Sequence, residues 1–414
     1  MRVWEFDRLG GIASEQFDVN TSSGGRQFVA TILGFLWMNE DRLGLDPTII
    51  TSDGERYIEI ERDGQKHRLV LDELILRKPC IAGRATTCWK AHCKEDPQTP
   101  LVIKDSWQDT RRGEEGALIQ EATEKGVVNV ARHYHHETVR VRGADDDVQR
   151  NIRKGIDVTK AKDYKPPNSS TPRVPRKGRS SGSATPPGKR LCLPSPTVDQ
   201  ARPNKVHRRV IVRDYGKPIY EASSHAALLA ALEGCIEGHE SLHRAGLLHR
   251  DIAIGNLMMN EDEENPSWRA FLIDLDFAIR DQRQGASGAK RKIGTKPFMA
   301  IGALLGEQHS FMHDLESFFW VLYGMCIGST RLKDWSFMNM DKLATLKVGT
   351  VSHEELFLRN FTSHYRPLIP AVNELRKVVF PNSGRWRETE DERLYSQMKE
   401  VLREAREKIT GSDI

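Results

Sequence analysis

The sequence predicts an α+β chain in two unequal parts, a β-rich first part and a mainly helical second part, with a basic segment interrupting the first. Three observations carry this. RYIEIERDGQKHRLVLD alternates on either side of Asp63-Gly64, a dipeptide that tolerates the positive φ angles of a tight hairpin turn. SSHAALLAALEGCIEGHESLHRAG places Leu, Ala and Ile at helical spacing. From Arg150 to Arg209, 16 Lys/Arg stand against 3 Asp/Glu, so the rest of a chain of net charge +4 sums to −9.

In chain order, PLVIK supplies a short apolar strand after the hairpin, with IAGRATTCWKA between them. RRVIVRDYGKPI reads as one more strand and a turn. FMHDLESFFWVLYGMCIG is apolar nearly all round and predicts a buried helix, whereas DERLYSQMKEVLREAREKIT is amphipathic and predicts a surface one. The expected organisation is a β-rich extension over 1–75, a smaller lobe over 76–142, a disordered basic insertion over 143–205, a last strand and hinge over 206–215, and a helical lobe over 216–414.

The insertion is expected to be disordered because KPPNSSTPRVPRKGRSSGSATPPGKRLCLPSP holds too few large apolar groups to offset the entropy of ordering it. Thr171, Thr185 and Ser195 precede prolines beside basic clusters, a pattern that suits phosphorylation and a nucleic-acid or import-receptor contact. A solvated linker is the plainer alternative. No run approaches the roughly 18 apolar residues of a membrane span. MRVWEFDRLGG has neither an apolar signal core nor a cleavage site, so a cytoplasmic or nuclear location is expected. WEFDRLGG reads like the middle of a folded segment. Six cysteines (Cys80, Cys88, Cys93, Cys192, Cys235, Cys326) are scattered and form no CxxC pair, so neither a disulfide framework nor a cysteine zinc site is indicated, and they read as reduced thiols.

The chemistry concentrates in LLHRDIAIGNLMMN and AFLIDLDFAI. Apolar flanks hold a loop presenting Asp251 and, five residues on, Asn256; Asp274 ends an apolar strand. Phosphoryl transfer from ATP needs such a set, because the metal bridges phosphate oxygens through oxygen ligands and a carboxylate orients the accepting hydroxyl.

At these residues the chain resembles protein kinases, and more closely the fungal-type protein kinase family, with HRDIxxGN, IDxD, GTxPFMA and HDLESFFWVL in that order through Gly328. The resemblance implies a two-lobe protein-kinase-like fold and the cofactors ATP and Mg²⁺. It assigns His249 and Arg250 to the catalytic-loop scaffold, Asp251 to the base, and Asn256 and Asp274 to the metal. Gly83 and Lys104 would meet the nucleotide, and Glu115 would partner Lys104, with Glu121 as the competitor. Asp314 would brace the catalytic-loop backbone, and Gly294-Thr295 would form the substrate side. Three departures bear on activity: Ala85 stands where a second phosphate-loop glycine is usual, Ala253 where a lysine is usual, and Asp276 where a glycine is usual. The APE sequence is also absent after PFMA.

His239-Glu240-Ser241-Leu242-His243 is a literal HExxH, a zinc-protease pattern on a helix. It directly precedes RAGLLHRD, where the resemblance puts a packed histidine. His133, His135 and His136 likewise read as strand positions rather than ligands. The function expected is ATP-dependent transfer to a Ser/Thr hydroxyl of a protein substrate. The alternatives are a pseudokinase or docking protein, drawing on Ala85, Ala253 and Asp276, and a small-molecule kinase of the aminoglycoside or choline type.

Overall fold

The computed structural model describes residues 1–161, 203–281, 293–381 and 390–411. The chain opens with a hairpin of β1 (Trp4–Asp7) and β2 (Gly10–Ala13), turned by Asp7, whose Oδ1 accepts from the Leu9 and Gly10 N–H groups. Helix α1 (Ser22–Leu36) follows where a β-rich extension was expected. An apolar run such as FVATILGFL suits strand or helix equally, and Thr21 decides it by accepting from Gly24 N as an N-cap.

Strands β3 (Ile50–Ser52), β4 (Glu55–Arg62), β5 (Gln65–Arg77), β6 (Thr87–Cys93) and β7 (Asp96–Asp109) come next. Asp63 (φ 55) and Gly64 (φ 73) close β4 onto β5 with Arg62 opposite Gln65, the two-residue turn the sequence predicts. Helix α2 (Glu115–Glu124), β8 (His133–Thr138), the short pair β9 (Arg140–Val141) and β10 (Ala144–Asp145), and β11 (Lys205–Val212) complete this part. One antiparallel sheet runs β3-β4-β5-β6-β7-β11-β8. The expected division at residue 75 therefore falls inside β5, and the extension shares the smaller lobe's sheet.

The insertion's first residues also depart from expectation. After β10, one turn spans Val148–Ile152 and another Val158–Lys160, and Arg153 is buried against Asp7 with bonds of 2.5 and 2.9 Å. Local composition cannot reveal this, because the partner lies 146 residues away. Residues 162–202, which hold Thr171, Thr185 and Ser195, are outside the described residues.

The second part holds β12 (Lys217–Pro218), α3 (His225–Arg244), β13 (Leu247–Leu248), β14 (Leu257–Met259), β15 (Ala270–Leu272) and β16 (Ile279–Arg280). Seven further helices follow: α4 (Ile301–Leu305), α5 (Phe311–Ile327), α6 (Ser329–Phe337), α7 (Met340–Ser352), α8 (Glu354–Leu358), α9 (Ile369–Val379) and α10 (Arg393–Gly411). Every residue of α5 is buried, as its all-round apolar pattern predicts. Helix α10 lays Leu394, Tyr395, Met398 and Leu402 into the same core. The two parts meet where Ala131 N donates to Leu272 O and Leu272 N to Asn129 O, which anchors the end of β15 next to Asp274.

A buried ionic cluster fixes β11 within its sheet. Arg209, 1% exposed, donates to Asp105 at 2.8 Å, Asp46 at 3.0 Å and Glu137 at 3.2 Å. His207 lies 3.6 Å from Asp105 and 3.2 Å from Asp146. Burial opposes its charge, but those two carboxylates outweigh burial and raise its pKa from 6.5 to about 9. A raised cation pKa adds stability that is full below pH 6.5 and lost as pH rises through about 9. Urea midpoints between those pH values should therefore fall, by on the order of 2–3 kcal/mol in unfolding free energy, and His207→Asn should flatten the slope.

Candidate active site

Lys104 sits in the middle of the sheet on β7, opposite Val210 of β11 and Cys88 of β6. Its Nζ is 2.8 Å from both Glu115 carboxylate oxygens and 2.8 Å from Asp274 Oδ1. Glu115 opens α2 and is fully buried, whereas Glu121 pairs at the surface with Lys125 and Arg280. What lets Glu115 come so close is Gly116, which the sequence reading passed over. A Cβ there would lie 2.3 Å from His136 Cβ, so only glycine lets the start of α2 rest on β8. A glycine inside a helical pattern was the available signal.

Charge is concentrated here. Burial works against the Lys104 ammonium, but Asp274 and Glu115 more than restore it and raise its pKa. Burial raises the Glu115 pKa even beside Lys104. At Asp274, burial is overcome by Lys104 and Arg84, which hold the carboxyl at about 2.

The loop after β13 brings the remaining residues together. His249 is buried, with Nε2 3.1 Å from the Ile273 carbonyl. Arg250 takes a positive φ of 67, and its backbone N–H donates to Asp314 Oδ2 at 3.1 Å, while its Nε is buried without a partner among the described residues. Asp251 Oδ1 accepts from Thr295 N at 2.7 Å and Thr295 Oγ1 at 2.8 Å. Asn256 Nδ2 donates to the Asp251 carbonyl, and Ile273 N donates to the Asn256 carbonyl, so Asn256 is held beside Asp274. Asp274 itself has φ 68, a second strained non-glycine residue at the same place.

The HExxH histidines belong to the core. His239 Nδ1 lies 2.8 Å from Tyr395 Oη and Nε2 2.8 Å from Asp314 Oδ2, and His243 stacks on Phe311 at 4.5 Å. Neither joins a group of converging metal-type ligands among the described residues. His133 and His136 face each other at 2.8 Å along β8, and burial lowers the pKa of both.

The loop between β5 and β6 differs from expectation at Gly83. Its N–H, which would face a phosphate, donates to the Arg8 carbonyl at 3.1 Å, and Arg8 Nη1 returns a bond to the Cys80 carbonyl at 2.7 Å. The Ala85 N–H donates to Cys80 Sγ. The N-terminal hairpin causes this, by folding back onto the loop. Arg84 bonds Asp276 and lies 3.9 Å from Asp274 Oδ1, while Gln108 Nε2 donates to Asp276 Oδ1 at 2.9 Å. Carboxylate oxygens at Asp274 and Asp276 facing the cations Lys104 and Arg84, with Asn256 held beside them, fit a magnesium-bound polyphosphate.

A family model described as fungal protein kinase matches residues 1–326. The chain belongs to the fungal protein kinase family. Among solved structures it is similar to one described as the structure of vaccinia related kinase 3, at 11% identity and a TM-score of 0.49, covering 91% of this chain and 96% of that one.

In this kinase the segment after PFMA is braced without an APE sequence. Glu316 Oε1 of α5 accepts from Ile301 N and Trp320 Nε1, each at 2.7 Å. Lys347 Nζ of α7 donates to the Met299 carbonyl at 2.6 Å and lies 4.3 Å from the Trp320 ring centroid. Burial raises the Glu316 pKa to about 7 and lowers that of Lys347. Glu316→Ala should lower unfolding free energy by about 3 kcal/mol, because it orphans two buried donors. Glu316→Gln keeps the acceptor and should stay within about 1 kcal/mol of the native chain in a urea titration.

Proposed function

We propose that this kinase transfers the γ-phosphate of ATP to a serine or threonine hydroxyl of a protein substrate. The observation that supports this is the Thr295 Oγ1 bond to Asp251 Oδ1 at 2.8 Å: a carboxylate fixed by its loop already accepts a hydroxyl. Asp251 orients the acceptor hydroxyl and takes its proton. Arg250 supports the loop through the Asp314 bond. Lys104, positioned by Glu115, holds the nucleotide phosphates opposite Asp274. Asn256 and Asp274 hold magnesium, which neutralises charge on the phosphate oxygens.

A docking role without turnover is the second reading, favoured by Ala253 and by the engaged Gly83 N–H. Transfer to generic basic proteins separates the two, since a docking protein gives none above background.

Two sets of variants test the roles. Asp251→Asn should lower transfer about 10²–10⁴-fold with nucleotide affinity kept. Asp274→Asn should lose transfer and magnesium-dependent affinity together, and equal loss of affinity in both variants would contradict the assignment. Glu115→Ala and Gly116→Ala should each reduce transfer by about tenfold or more, while Glu121→Ala leaves it within about twofold. The reverse order in a steady-state assay would move the Lys104 partner to Glu121.

A further inference from the structure

Three features of the loop between β5 and β6 bear on how a polyphosphate would be held. Two of its backbone donors are committed elsewhere, Gly83 N–H to the Arg8 carbonyl and Ala85 N–H to Cys80 Sγ. Position 253, two residues after Asp251 in the catalytic loop, is Ala and supplies no cation. Arg84, between Gly83 and Ala85 in the loop, reaches the carboxylates of Asp274 and Asp276 with its guanidinium.

We infer that Arg84 is a second phosphate-binding cation of this cleft beside Lys104, taking up the outer phosphates of the nucleotide in place of the Gly83 and Ala85 N–H groups and of a side chain at position 253. The inference rests on the ATP-dependent reading above.

The geometry makes the exchange feasible. Arg84 is anchored by its backbone, since its carbonyl accepts from Trp107 N at 2.8 Å, while its side chain stays 32% exposed and lies 5.2 Å from the Phe277 ring centroid. Lys104 and Arg84 both approach Asp274 and Asp276, so Arg84 bonds a carboxylate until a more highly charged anion arrives. A phosphate presents oxygens that match the guanidinium fork. Asp276 is not stranded when Arg84 leaves, because Gln108 Nε2 still donates to it at 2.9 Å.

Calorimetric titration of the full chain with adenosine, and with ATP plus magnesium, tests this. In Arg84→Ala the affinity for ATP should fall by about tenfold or more, with adenosine affinity unchanged. Arg84→Gln, which keeps a donor for Asp276 but no charge, should lose as much, and Arg84→Lys should recover part of it. Melting of each variant without ligand verifies folding. Equal weakening of both ligands would make Arg84 a structural latch and overturn the inference, as would unchanged ATP affinity; either result leaves the kinase reading standing. Failure of the native chain to bind either ligand overturns both.

Discussion

The buried carboxylate of Asp314 is the point on which the site depends. Its Oδ2 receives the Arg250 N–H and faces His239, and its Oδ1 lies 2.8 Å from His309. Through His239 it reaches Tyr395, so α3, α5, α10 and the catalytic loop converge on one charge. Burial alone would make such a carboxylate neutral. His309 and His239 overturn that and keep it ionised well below the usual range. The positive φ at Arg250 is held by this bond, and the direction of Asp251 follows from it.

The second constraint spans the two parts of the chain. Lys104 belongs to the sheet, Glu115 to α2 and Asp274 to the strand end below, and three bonds of 2.8 Å at one ammonium join them. None of these groups tolerates burial alone, so each depends on the others for its charged state. The sheet's own position is fixed by the same chemistry at Arg209, whose buried guanidinium collects carboxylates from β7, β8 and the segment before β3.

What the sequence made legible was local or carried by tight spacing. Asp63-Gly64 announced its turn, the apolar run of α5 its burial, and the HRD and IDLD segments a loop and a strand end, which the Ile273 N–H to Asn256 carbonyl bond joins. Pairs between distant residues left no such trace. Asp7 with Arg153, Arg8 with Gly83, and Lys347 with Met299 join segments whose local composition gives no hint of a partner. Helix α1 was missed for a different reason: an apolar run does not declare its period when much of it is exposed, and only the Thr21 cap settles it. HExxH shows the converse, a strong local pattern whose histidines belong to packing, as its place before RAGLLHRD implies.

The N-terminal hairpin has a practical consequence for anyone shortening the polypeptide. Asp7 neutralises the buried Arg153, and the neighbouring Arg8 carbonyl occupies the Gly83 N–H, so β1 is wired to two places at once. Trimming residues 1–13 would leave an uncompensated guanidinium in the interior and restore a backbone donor to the loop in a single step. A truncated version would therefore report altered solubility and altered ligand affinity together, and a tag fused directly to the first strand would strain both connections.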